Sequence, residues 1–229
     1  MKNYFSGSPV SFDVQADISE FGMSAKILDE YGVSPWNAAV KRCSDVIGAL
    51  AGLIIGSPIF LIVFIMIKME DSGSVIFRQE RVGYRGRLFT IYKFRSMIPG
   101  AEKDGEPQLS REDDDRLTRV GRFLRDHHLD ELPQLWNVLI GDMSIVGPRP
   151  ERKCFVDQIM KKNQGYRLLY RLRPGLFSEA TLYNGYTDTM EKMLIRLESD
   201  LDYLKNQSFL LDAKIIVMTL YSLLSGKKF

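Results

Sequence analysis

At 229 residues the chain has room for one domain of ordinary size plus an appendage, and a core of that size needs no metal or disulfide staple. A net charge of +2 is too small to imply nucleic acid, so no nucleic-acid partner is expected. Cys43 and Cys154 lie far apart and form no CxxC pair, which argues against a disulfide framework or zinc site and fits a reducing compartment.

Residues 1–35 are polar, with Asp13, Asp17, Glu20, Asp29 and Glu30 set against Lys2 and Lys26. A secretory signal would begin basic and turn apolar, so none is expected here. Asp17–Tyr31 reads as an amphipathic helix lying on the domain or a partner. Val46–Ile67 (VIGALAGLIIGSPIFLIVFIMI) then carries no charge. About 20 such residues span the hydrocarbon core as a helix. Gly56-Ser57-Pro58 interrupts the run, and proline removes a backbone donor and clashes with the preceding turn, so a break or sharp kink is expected. The Ser57 hydroxyl is suited to satisfying a backbone group freed by that break. Lys41 and Arg42 precede the run and Lys68 follows it, and positive residues favour the cytoplasmic side. A spanning anchor and a helix-break-helix that enters one leaflet and returns both stay open. In the latter each arm is roughly 16 Å long.

Ser74–Gln79 and Arg87–Phe94 are β-rich, and the glycines of Val82–Gly86 suit a hairpin loop. Pro99–Asp115 reads as a mobile surface loop, with Asp113-Asp114-Asp115 as a solvated acidic face rather than a metal motif. Helical spacing follows over Arg116–His128 (Leu117, Val120, Phe123, Leu124 on one side), Glu131–Leu139 stopping at Gly141, Glu151–Leu172 ended by Pro174-Gly175, Met190–Lys205 and Phe209–Leu224.

The chemistry centres on His128-Leu129-Asp130-Glu131-Leu132-Pro133-Gln134. Asp130 occupies a helix N-cap position and Pro133 is tolerable in a first turn. Spacing alone favours a structural role: a capping Asp130 and a first-turn Glu131 that stabilises the helix dipole. The same place would keep a carboxylate ionised, and an ionised aspartate can attack phosphorus if cations let it approach an anionic diphosphate. Candidate cations are Lys93 and Arg95 on one face of the second strand, and Arg149 in the rigid turn Gly147-Pro148-Arg149-Pro150. Arg78, Arg81, Arg85 and Arg87 lie along the hairpin. A membrane-facing surface is favoured for Arg85 and Arg87, and Arg81 is undecided. His127 and His128 read as polar helix-end residues.

These segments carry a resemblance. KRCSDVIGAL, the Ser57-Pro58 break, SVIFRQERVG, FTIYKFRSM, LDELPQLWNVLIGDMSIVGPRP, RLRPG and SFLLDAKI resemble, in order, the bacterial sugar transferases, the monotopic phosphoglycosyl transferases that initiate bacterial glycan assembly. The resemblance runs from about Trp36 to about Thr219. It implies an α/β fold, mostly helical with a small β-hairpin, in a monotopic membrane protein whose re-entrant helix-break-helix kinks at Ser57-Pro58. The expected organisation is an N-terminal extension (1–35), a membrane-associated helix (36–73) and a catalytic domain on the cytoplasmic face of the inner membrane (74–229). Asp130 matches the family's nucleophile and Glu131 its dyad partner, which reverses the structural reading of both. Lys93 and Arg149 match positions that contact substrate phosphate or nucleotide, and Arg95 and Arg81 join them as candidates. Magnesium (Mg2+) is the implied cofactor, with Asp130 and Glu131 as its candidate ligands.

The implied reaction moves a sugar-1-phosphate from a UDP-sugar donor to a polyprenyl phosphate acceptor, releasing UMP through a phosphosugar–aspartyl intermediate. The lipid bilayer is an expected partner, and a homodimer is left open. Glu131 is expected either to hold the metal or to manage a proton. Two other classes compete: an inactive membrane scaffold that binds nucleotide sugar, and a glycosyltransferase using Asp113–Asp115 for metal and releasing UDP. One departure from the family pattern stands out. Leu176–Tyr183 follows Arg173-Pro174-Gly175 where relatives often read ITGWAQ, which is expected to bear on specificity.

Overall fold

The computed structural model describes residues 35–101, 108–109, 114–185 and 187–225. The expected helix over Asp17–Tyr31 and most of Pro99–Asp115 lie outside the described residues.

Helix α1 (Pro35–Glu70) is 36 residues long. It is apolar on nearly every face, with a mean hydropathy of 2.7 over its most apolar window, and only 17% of that window is buried. Among the described residues it is the one helix long and apolar enough to cross a membrane. The expected break is absent as a break, because helix continues on both sides of Pro58. The local reason is visible. Pro58 has no N–H to offer the carbonyl four residues back, Ile54, and the Ser57 hydroxyl donates to that oxygen instead at 2.8 Å. The lost bond is replaced rather than left open.

Both ends of α1 are held by the rest of the protein. At its start Lys41 pairs with Asp212 at 2.6 Å, Arg42 donates to Val138 O and Leu139 O, and Asp45 accepts from Ile145 N–H. At its end Val63 and Ile67 pack with Val75, Phe94 and Leu124, and Glu70 accepts from Val120 N–H at 3.1 Å.

Strands β1 (Ile76–Val82) and β2 (Leu88–Phe94) form the expected antiparallel hairpin, in register from Ile76 opposite Phe94 to Val82 opposite Leu88. The turn puts Arg85 and Gly86 at positive φ, 57° and 68°, the second of which only glycine adopts freely. Helix α2 (Arg119–Asp126) starts at Thr118, whose hydroxyl accepts from Gly121 N–H at 2.9 Å, and buries Leu124 completely. A 3-10 turn (Leu129–Glu131) leads into α3 (Gln134–Ile140), which Gly141 ends at φ 98°.

Two short strands, β3 (Ser144–Val146) and β4 (Gly175–Phe177), pair in parallel; neither was anticipated. The expected helix over Glu151–Leu172 is α4 (Lys153–Lys162) followed by a 3-10 segment (Gln164–Arg171). Asn163 divides them by leaving helical geometry and accepting from Gly165 N–H. Helix α5 (Glu179–Asn184) occupies the departure from the family pattern, and α6 (Met190–Asn206) and α7 (Phe209–Leu224) close the chain.

Candidate functional site

Asn137, fully buried on α3, fixes the centre of the site. Its side chain accepts from Tyr92 N–H at 3.1 Å and donates to Thr90 O at 2.7 Å, satisfying two groups on β2. This stitches the turn carrying Asp130 and Glu131 to the strand carrying Lys93. Asp130 is not the helix cap that its spacing suggested. It lies inside the 3-10 turn, and the residue flanking the start of α3 is Pro133, which makes no side-chain cap. His128, at φ 53°, provides the sharp entry to the turn.

Asp130 and Glu131 are both buried, in the wall of a cavity of about 470 Å³. Lys93, Arg95, Arg149 and Arg81 line the same cavity, so the structure gathers every site candidate named from the sequence except the Ser57-Pro58 pair in α1. Arg116, Arg125, Arg152 and Arg196 also line it, giving eight basic side chains against Asp130, Glu131 and Glu151. That balance favours an anion carrying several negative charges.

The acids divide the work. Glu131 Oε1 accepts from Lys93 Nζ at 2.5 Å and Arg149 Nη2 at 2.6 Å, and Oε2 is 3.4 Å from Arg149 Nη1. Burial pushes the Glu131 carboxyl up, but Arg149 and Lys93 outweigh it and hold it well below the usual carboxylate range. Asp130 accepts no hydrogen bond from the described residues. Burial pushes its carboxyl up to about 6, against the pull of Lys93. Glu131 is therefore a fixed anion that braces two cations, whereas Asp130 is unshared and ionised at neutral pH. Burial holds the Lys93 ammonium and the His128 imidazole below their ordinary values.

The remaining candidates are partly engaged. Arg95 Nη2 donates to Asp71 Oδ1 at 2.5 Å. Arg81 bonds Pro150 O, Gln79 Oε1 and Glu151 Oε2. Asp113 lies outside the described residues, and Asp114 is not solvated as expected: it is buried and paired with Arg116 at 2.6 Å. No group of three or more His, Cys, Asp or Glu suited to a metal ion occurs among the described residues. Sequence reasoning missed Glu151 and Arg196, because each comes from an element distant in sequence from Asp130, and missed the cavity role of His128, because a histidine at a helix end reads the same whether it faces water or a cavity.

The site is thus a buried pair of carboxylates in a cavity lined mainly by basic side chains. The chain belongs to the bacterial sugar transferase family, whose sequence pattern matches residues 36–226. It is similar to the UDP-N-acetylgalactosamine-undecaprenyl-phosphate N-acetylgalactosaminephosphotransferase of Aeromonas hydrophila, at 42% identity over 193 residues, covering 84% of this chain and 45% of that protein. It is also similar to two UDP-glucose:undecaprenyl-phosphate glucose-1-phosphate transferases. The Klebsiella pneumoniae protein is 43% identical over 187 residues, covering 81% of this chain and 40% of that protein. The Caulobacter vibrioides protein is 41% identical over 187 residues, covering 81% of this chain and 70% of that protein. The chain thus spans less than half the length of the first two relatives.

Proposed function

We propose that this chain is a phosphoglycosyl transferase that moves a sugar-1-phosphate from a UDP-sugar to undecaprenyl phosphate through a covalent intermediate on Asp130. The observation that carries this is a buried carboxylate without a hydrogen-bond donor, ionised near neutrality, in a cavity lined mainly by cations. A carboxylate bound by several donors is a poor nucleophile; one left unshared is not. The relatives' names supply the substrate classes.

In this mechanism an Asp130 oxygen attacks the sugar-proximal phosphorus as the bond from that phosphorus to the bridging oxygen breaks. UMP departs with the electron pair. An oxygen of the acceptor phosphate then attacks the same phosphorus and frees Asp130. The departing phosphate oxygen belongs to a group of pKa about 6, so it leaves without a proton donor. Glu131, held ionised by Arg149 and Lys93, is unsuited to donate one. Its role is to position those two cations on the transferring phosphate.

Magnesium fits the donor set through Asp130, whose oxygens are open, together with substrate phosphates; the oxygens of Glu131 are already taken by cations. When bound, it would neutralise diphosphate charge.

We place the apolar surface of α1 in lipid, with the body of the protein on the cytoplasmic face of the inner membrane. Lys41 and Glu70, near opposite ends of α1, contact the same body. That arrangement favours an element that enters and leaves on one side, with the Ser57–Ile54 bond able to satisfy the backbone should α1 bend there. Residues 36–73 and 74–229 then serve as the anchoring and catalytic parts. The test is intact mass after incubation with donor alone. A sugar-phosphate adduct is expected on the wild type and on Asp142→Asn protein and not on Asp130→Asn, and an adduct on Asp130→Asn protein would reject the assignment.

A further inference from the structure

Five buried polar side-chain atoms lack a hydrogen-bond partner among the described residues, and four of them belong to residues lining the Asp130 cavity: Arg81 Nε, Arg95 Nε, Thr181 Oγ1 and Arg196 Nε. Buried donors are rarely left unpaired, and a cluster around one cavity points to a ligand that completes it. Two of the four are joined. Glu151, itself buried, takes Arg196 Nη1 on Oε1 at 2.5 Å and Arg81 Nη1 on Oε2 at 3.3 Å. Arg81–Glu151–Arg196 therefore repeats the design of Lys93–Glu131–Arg149: one buried acid between two cations, leaving one positive charge over. A buried ionic triad is a weak device for stability, so two of them in one cavity wall require another reason.

The triads differ in how strongly they act on Asp130. The charges that weigh most on Asp130 are Lys93, Glu131, Arg125 and Arg149. Arg81 and Arg196 interact instead with Glu151 and, beyond it, with Arg149. In an in-line displacement the departing oxygen lies opposite the attacking one. The cations that brace the departing phosphate therefore need not be the ones that act on the nucleophile.

We infer that Arg196, together with Arg81, forms a second phosphate subsite that binds the phosphate retained by the departing nucleoside monophosphate, with Glu151 as its positioning residue. The assignment rests on the transferase reading and adds to it a residue on α6 that no motif marks. A planar guanidinium suits it to two oxygens of one phosphate.

The test compares UMP with uridine by calorimetric titration of the detergent-solubilised 229-residue chain. The affinity ratio of the two isolates the contribution of the phosphate. Arg196→Gln is expected to lower that ratio about tenfold or more while leaving uridine binding unchanged. Should Arg196→Gln fail to fold, Arg196→Lys carries the test: it retains charge toward Glu151, loses the fork, and is expected to lower the ratio less. An unchanged ratio in folded variants overturns the subsite while leaving the transferase reading intact, provided wild type still releases UMP from donor. A variant that raises KM for polyprenyl phosphate with UMP affinity unchanged also overturns it, since the subsite would then belong to the acceptor. Absence of UMP binding and release in wild type removes both readings.

Discussion

Replacing Asp130 with Asn should make the protein more stable at neutral pH while removing its proposed chemistry. A buried carboxyl whose pKa is about 6 instead of the ordinary 3.8 carries about 3 kcal/mol against its ionised form. Burial is the larger cause, and Lys93 offsets part of it. The native carboxyl holds its proton more tightly than an unfolded one. Its stabilising contribution is therefore complete below pH 4 and is lost as pH rises through 6. A neutral amide of the same shape avoids that loss. At about 2–4 °C per kcal/mol for a chain of this size, Asp130→Asn should melt about 6–12 °C higher than wild type at pH 8. The difference should shrink toward zero at pH 4. The assay is thermal unfolding in detergent with chelator present, so that no bound cation neutralises the carboxylate. A lower melting point for Asp130→Asn at pH 8, or a difference that does not change with pH, would refute the argument that burial outweighs the neighbouring cations in setting the state of Asp130.

Other outcomes follow from neighbouring features. Glu131→Gln removes the negative charge that raises the Asp130 pKa, so the acid limb of UMP release should move to lower pH; leaving Lys93 and Arg149 without their shared anion should cost about 3 kcal/mol in unfolding. Ser57→Ala should cost about 1 kcal/mol in nanodiscs by orphaning Ile54 O, but nearly nothing in a Pro58→Ala background, where the backbone N–H returns to that oxygen. Gly121→Ala would place a methyl 1.9 Å from Ser96 O, so a thermal melt should show a loss of about 2 kcal/mol or more.

Long periodic or apolar segments were legible in the sequence, because burial of one stripe or one surface dominates their local choices. The long apolar helix, the hairpin, and helices α6 and α7 are where the patterns place them. Parallel β3 and β4 are only three residues each, too short for any period to register, and their pairing is a tertiary event. Asp130, expected at a helix cap, lies in a 3-10 turn instead, since a cap and a 3-10 turn share the same acidic, proline-containing spelling. Lys93 and Arg149 entered through their motifs. Arg196 did not, because a lone arginine on an amphipathic helix has the same local sequence whether it faces water or a buried glutamate. The continuity of α1 through Pro58 depends on one hydroxyl taking over one carbonyl, a substitution that propensity cannot anticipate.

The double attachment of α1 has a kinetic consequence. With α1 in lipid as proposed, a body clamped at both ends of that helix would not lift away on a tether, and its cavity would stay at a constant height over the headgroups. A polyprenyl phosphate acceptor, as proposed, would then arrive by diffusion within a plane, and turnover at limiting acceptor should follow its mole fraction among lipids rather than its amount per litre.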